Sequence, residues 1–401
     1  MDETINYKEN LISLQLLKSL FALIIIMTFF APNLLGRDYL GITTLFASLI
    51  IVLLYEKIII NKLTILIFVY VIFTIFVDLI SNFNYPTSPV FIVRTFIYSL
   101  VPLVAFILGS FFNNRLNENS VNKLILITGF GQALIGLAQV YNESFRAVTL
   151  NYYANFEKYN YGFEAWEVGR IVGTIGNPNI FGVFLVIFSI YILTILLPKY
   201  QNNIKYTFIL IIILLTSSYA ILLSQSRTAY LLLALGIVAS ILLSKKNILI
   251  KSILLSLILL VLALIYINNP IVSRRFEAEN IDTLGGREDI WRIFIKNYLS
   301  PFTIQSFVGY GFYYVRDISK AVDNYYLQLI LQYGFIGLLL YLNIFLSAIK
   351  SFLFRARVSK YSAFIIISTI TILISDFTGT INMSPDISIF YFLILGYCFN
   401  K

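Results

Sequence analysis

Histidine is absent from the 401 residues, and cysteine occurs once, at Cys398. The first absence removes the commonest metal ligand and the commonest general base. The second removes any internal disulfide and any cysteine-ligated metal site. Charge is scarce as well: charged residues make up 12% of the chain against 59% hydrophobic, with a mean hydropathy of +0.85. A soluble globular chain does not carry that composition, so the sequence describes an integral membrane protein. The net charge of +9 is mostly a topology signal, and no basic patch interleaved with aromatics points to nucleic acid.

A bilayer core of roughly 30 Å takes about 20 apolar residues per helix, and such runs recur from Leu11 almost to the end of the chain. They do not alternate apolar and polar as barrel strands would, so the fold class is all-α, a polytopic bundle of about 12 helices. The expected spans lie near 11–30, 39–55, 58–80, 90–112, 121–141, 178–197, 206–224, 227–243, 248–267, 323–349, 361–376 and 384–399. Lys and Arg concentrate in one set of short loops, including Lys57, Lys62, Arg115, Lys123, Lys199, Lys205, Lys245, Lys246, Lys350, Arg355, Arg357 and Lys360. That asymmetry places this set and both termini in the cytoplasm. The acidic start, MDETINYKEN, and the length of the first apolar run make that run a span and not a cleaved signal peptide. Residues 1–401 are therefore read as a single polytopic membrane domain.

Two outer loops, about 142–177 and 268–322, break the pattern of tight connections, and long loops on a compact scaffold are usually functional. Both carry arginines, including Arg146 and Arg170 in the first and Arg274, Arg275, Arg287, Arg292 and Arg316 in the second. Such a face suits an anionic ligand; phospholipid headgroups are the plainer alternative. Between two further spans lies the short turn SQSR, with Ser226 placed to cap the next helix and Arg227 in its first turn. Free N–H groups and the helix dipole favour an anion there, and arginine completes a phosphate site. An arginine that snorkels to headgroups is the alternative.

In TLGGREDIWRIFIKNYL, Ile290, Trp291, Phe294 and Ile295 give an apolar face to an interfacial helix. Arg287 and Arg292 either anchor that helix to lipid or point into a site. In GRIVGTIGNPNIFGVFL, Asn177-Pro178 opens a span, and no strand precedes the glycines, so a dinucleotide fold is excluded. In AVDNYYLQLILQYGFIGLLLYL, Asn324, Gln328 and Gln332 recur every four residues on one helical stripe with Asp323 at its top. Polar groups at such depth are expensive unless they face a wet or protein-lined cavity; amides that bond neighbouring helices are the alternative. Trp166, Trp291, Tyr152, Tyr153, Tyr310 and Tyr313 suit sugar stacking or the interfacial aromatic belt. Asp78 and Arg94, near the outer ends of consecutive spans, are read as a mutual pair with no catalytic role.

The order GRIVGTIGNPN, SQSRTAYLLLALG, GREDIW with a following GYG, and DNYYLQLILQYGFIGLLLYL resembles the bacterial O-antigen polymerase and O-antigen ligase superfamily. The likeness covers roughly residues 165–345 by motif. It implies a glycosyltransferase of the bacterial inner membrane, with its active site facing the periplasm or outside and with neither metal nor cofactor. Its donor and acceptor would be undecaprenyl-pyrophosphate-linked oligosaccharides, with membrane lipid and a chain-length regulator as further partners. By the same resemblance Arg227 matches the family's essential arginine, Arg287 a loop arginine and Arg170 the arginine before the glycine-asparagine motif. Asp323 stands where the ligases carry histidine, which suits the polymerase branch and a base or acceptor-orienting role. The candidate catalytic residues are thus Asp323, Arg227 and Arg287, and the candidate substrate contacts Arg170, Asn177, Arg292, Asn324 and Gln328. Transfer to a lipid or protein acceptor by a ligase, or a lipid-linked oligosaccharide flippase, are the alternatives.

Overall fold

Apolar side chains on all sides of a run leave the backbone no exit for its polar groups except intrahelical bonds, and every element of the computed structural model's described residues is helical. Those residues are 2–31, 37–55, 60–84, 89–113, 115–153, 169–243, 249, 252–253, 255–256, 287–300, 303–312, 323–355, 359–379 and 384–399. In chain order the helices are α1 (Asp2–Phe30), α2 (Arg37–Tyr55), α3 (Lys62–Asn84), α4 (Pro89–Asn113), α5 (Glu118–Tyr141), α6 (Glu143–Tyr153), α7 (Pro178–Tyr200), α8 (Ile204–Leu223) and α9 (Arg227–Leu243). They continue with α10 (Arg287–Phe294), α11 (Ile304–Val308), α12 (Tyr325–Phe354), α13 (Ser362–Phe377) and α14 (Pro385–Phe399).

Among the described residues six helices are long and apolar enough to cross a membrane: Lys62–Phe83, Ile92–Asn113, Glu118–Tyr141, Pro178–Tyr200, Ile204–Leu223 and Tyr325–Phe354. Five shorter apolar helices, Leu14–Phe30, Tyr39–Leu54, Arg227–Leu243, Ser362–Phe377 and Pro385–Phe399, fall on further expected spans. The expected span 248–267 lies outside the described residues, apart from a few positions near its start.

The chain divides into two compact units. The first comprises Met1–Ile59, Val104–Ser226 and Pro385–Lys401, and the second Ile60–Leu103 and Arg227–Ser384. In the first unit α7 is the central helix, enclosed along nearly all of its length, and α8 packs on both α5 and α7. A π-turn at Ile192–Leu196 precedes Pro198. Proline supplies no N–H and its ring crowds the carbonyl four residues back, and the wider turn accommodates both effects. The last part of α4 and α14 approach so closely that a Cβ on Gly109 would stand 2.0 Å from the Leu393 carbonyl oxygen, and one on Gly396 2.2 Å from that of Phe106. Glycine at both positions is what permits this backbone contact in an apolar setting.

In the second unit α12 packs against α3, α11 and α13, and α9 packs on α13. The sequence pattern predicts one continuous helix over 323–349; the structure breaks it at Gly334 (φ 65°, ψ −174°). The reason is a non-local contact. The Phe307 carbonyl oxygen occupies the place where a Gly334 Cβ would be, 2.0 Å away, so the segment around α11 presses into the helix and displaces its path.

Candidate functional site

Asn177 has an extended backbone and its Oδ1 accepts from the amides of Asn179 and Ile180 at 2.9 and 3.2 Å, with Pro178 in the first turn of α7. Its side chain is thus the cap of α7, worth about 1 kcal/mol. The preceding loop is held from α5 by two glutamines seven residues apart on one helical face. Gln139 accepts from the Val172 and Gly173 amides at 3.1 and 3.0 Å and donates to the Gly173 carbonyl at 2.8 Å. Gln132 accepts from the Thr174 amide at 3.2 Å and donates to the Thr174 hydroxyl at 2.5 Å.

Arg170 leaves that loop with both ends of its guanidinium engaged: Nε donates to the Ser224 carbonyl at 2.8 Å and Nη2 to Asn179 Oδ1 at 2.8 Å. Arg170 therefore clamps the end of α8, three residues before Arg227 in the chain. Arg146 Nη2 in turn donates to the Arg170 carbonyl at 3.4 Å. Partial burial lowers the pKa of the Arg146 guanidinium from its ordinary value, with Glu143 opposing.

The turn after α8 contains Gln225 at φ 52°, and α9 then begins at Arg227, immediately after the buried Ser226. Gln225 and Asp323 (φ 40°) are the two non-glycine residues with positive φ among those described. Each lies just ahead of a helix start, and such strained positions gather at functional sites.

Within the second unit three elements meet at one end of α13. The hydroxyls of Thr228, in the first turn of α9, and Thr378, just past α13, lie 2.7 Å apart. The ring of Trp291 on α10 meets Phe377 edge-on with centroids at 5.4 Å. Phe294 and Leu331 form a buried cluster against which Trp291, Tyr298, Tyr310 and Leu327 pack, so α10 rests on the first segment of α12. The starts of α9 and α10, each an arginine, are thereby drawn to the same end of α13 as the start of α12. There Arg287 Nη2 forms an ion pair with Asp323 Oδ2. The pair is partly solvated, with 27% of the Arg287 side chain and 44% of that of Asp323 exposed.

The remaining predicted residues are placed differently. Arg292 pairs with Glu288 on its own helix at 2.8 Å with both side chains largely exposed, an arrangement worth little in stability. Asn324 caps α12, its Oδ1 accepting from the Leu327 amide at 3.1 Å. Gln328 and Gln332 are buried, at 4% and 2% exposure, so the amide stripe faces protein. The apolar face expected on α10 is divided: Trp291 and Phe294 pack inward, whereas Ile290, Ile293 and Ile295 are exposed. The expected pairing of Asp78 with Arg94 gives way to another arrangement. Asp78 accepts from the Phe312 amide at 2.8 Å and the Tyr333 hydroxyl at 3.2 Å, while Arg94 lies over the Tyr98 ring. A second buried carboxylate, Asp376, accepts from the Tyr341 hydroxyl. Gln132, Gln139, Asp78 and Asp376 were all visible as polar groups within apolar runs, which is the signal that points to them. Trp166, Tyr313, Arg274, Arg275 and Arg316 lie outside the described residues.

Residues 210–342 match the model of a family described as O-antigen ligase. That match supports a likeness to the O-antigen ligase and polymerase superfamily and does not distinguish its branches. The match covers about a third of the chain and contains Arg227, Arg287, Asp323, Asn324 and Gln328; Arg170 and Asn177 precede it. No curated protein matches the chain. Proteins of the O-antigen ligase family act on lipid-linked oligosaccharides and are glycosyltransferase-like membrane enzymes. The site at the end of α13 lies on elements that the family match and its neighbouring segment supply.

Proposed function

We propose that this protein is a polysaccharide polymerase that joins undecaprenyl-pyrophosphate-linked oligosaccharide units on the outer face of a bacterial inner membrane. The single observation that carries the reading is the Arg287–Asp323 pair, with Trp291 of the same α10 and Thr228 of the first turn of α9 both touching the end of α13. An acceptor hydroxyl attacks the anomeric carbon of the donor glycan as the bond from that carbon to the pyrophosphate oxygen breaks. The lipid pyrophosphate leaves with the bonding electrons, and the hydroxyl proton passes to the Asp323 carboxylate or to water oriented by it. Arg227 adds its charge to the positive end of the α9 dipole and takes the pyrophosphate. Arg287 orients Asp323 and faces the developing negative charge.

The family's description favours a second reading, transfer of finished glycan to a different acceptor. The two are separated by deleting the gene in its own host and resolving the surface glycan by length. Retention of single capped units with loss of long chains supports a polymerase; loss of every glycosylated species supports a ligase and overturns the proposal.

A further inference from the structure

Asp78 lies within α3, in a helix long and apolar enough to cross the membrane, and is 6% exposed. A carboxylate in such a place is expensive unless it is paired, and intramembrane carboxylates usually have a task. Its two oxygens are divided between two elements far apart in sequence. Oδ1 accepts from the Phe312 amide at the end of the Gly309–Tyr310–Gly311 loop, and Oδ2 accepts from the hydroxyl of Tyr333, the last residue before the break in α12.

The loop that Asp78 holds fills that break. The Tyr310 amide donates to the Leu331 carbonyl at 2.8 Å. A Cβ on Gly309 would meet the Gln332 carbonyl oxygen at 2.2 Å, and one on Gly311 would meet Ser81 Cβ at 2.2 Å. With φ of 92° and 76°, these two positions need glycine for conformation and for space. Tyr310 also packs on the Phe294–Leu331 cluster that joins α10 to the first segment of α12. That segment, Tyr325–Tyr333, is about 13 Å long at 1.5 Å per residue. Asp78 grips its far end, and Asp323 precedes its cap at the near end.

We propose that Asp78 is a positioning residue: by tying the 309–312 loop into the break of α12, it fixes the segment that carries Asp323 and the seat of the helix that carries Arg287. This rests on the glycosyltransferase reading of that site. Asp78 itself touches no reacting group. The carboxylate is suited to the task because it accepts two hydrogen bonds at once from donors on separate elements. Asparagine retains one acceptor oxygen for the Phe312 amide and can meet the Tyr333 oxygen with its NH2 group, so it restores much of the grip, whereas alanine restores none.

The test compares wild type, Asp78→Ala, Asp78→Asn and Tyr333→Phe in the purified full chain, by amide hydrogen exchange over 303–312 and 325–333 and by turnover on a lipid-linked repeat unit. Tyr333→Phe leaves the carboxylate in place and serves if Asp78→Ala does not fold. Expected are faster exchange at Tyr310 and Phe312 in Asp78→Ala, with a turnover loss of about 100-fold, the cost of a misplacement of about 1 Å. KM should stay within about twofold, because the loss falls on geometry in the transition state. Asp78→Asn should recover most of both, and Tyr333→Phe should fall between. Unchanged exchange at Phe312 in Asp78→Ala and Tyr333→Phe overturns the anchor. Faster exchange with full turnover per folded molecule overturns the positioning role and leaves the glycosyltransferase reading intact. If wild type makes no glycan while exchange responds as expected, the glycosyltransferase reading falls and takes the positioning role with it.

Discussion

Breaking the Arg287–Asp323 pair should cost the protein far more in turnover than in stability. The reasoning starts from exposure: with 27% and 44% of the two side chains open to solvent, either charge can rehydrate when its partner is removed. A pair of this kind contributes about 0.2–1 kcal/mol to folding, which for a chain of this length corresponds to a melting shift of about 2 °C or less. A group that stabilises charge developing in the transition state is worth about 2.7–4 kcal/mol, or 10²–10³ in rate. Arg287→Ala and Asp323→Asn should therefore each lower turnover by two to three orders of magnitude on that estimate, while the folded fraction stays near wild type. Because the two act as one unit, the double variant should lose little more than the worse single one. The assay is initial rate of glycan extension per folded molecule, with melting followed in the same detergent. A large melting shift with unchanged turnover per folded molecule would refute the reasoning and make the pair a structural latch.

Arg292→Ala should be near wild type in both measures, since its partner Glu288 is on the same helix and both are exposed; a loss comparable with that of Arg287→Ala would mean that the exposed face of α10 binds substrate. Gly334→Ala should prevent folding or shift α11, because the new Cβ would meet the Phe307 carbonyl oxygen at 2.0 Å with φ at 65°, and its yield of folded protein by size exclusion should drop sharply. Gln139→Leu should destabilise by about 1–3 kcal/mol for each buried amide left unpaired, at Val172 and Gly173, as read from thermal melting. Asn324→Ala should cost about 1 kcal/mol through loss of the α12 cap, and a turnover loss far beyond that would show that its side chain does more than cap.

Most of the helical architecture was legible because a span needs about 20 apolar residues and composition alone marks those runs. The start of α7 at Asn177-Pro178 was legible, though not the capping role of Asn177, and so was the arginine at the start of α9, as a residue following a serine turn. The break at Gly334 was not. Apolar periodicity continues through QYGFIG, and glycine is common within membrane helices; only the segment around α11, some 25 residues earlier, forces the positive φ. Asp78 was misread for a related reason. Its near neighbour in sequence of opposite charge, Arg94, suggested a local pair, but its partners lie 234 and 255 residues away. Gln132 and Gln139 were visible as polar residues in a span, yet what they hold, the amides of residues 172–174, is 33 to 42 residues further on. Arg170 and Asn177 stand out in the sequence as candidate substrate contacts, and the structure gives each hydrogen bonds within the protein that composition does not reveal.

The most direct measurement supplies purified protein with undecaprenyl-pyrophosphate-linked repeat units from its own pathway, with chelator present, and resolves the products by length for wild type, Arg227→Ala and Asp323→Asn. The account predicts a ladder of lengthening glycans from wild type and a collapse of that ladder in both variants while they remain folded. Folded wild-type protein that extends no glycan, or variants that extend it as fast as wild type, would contradict it.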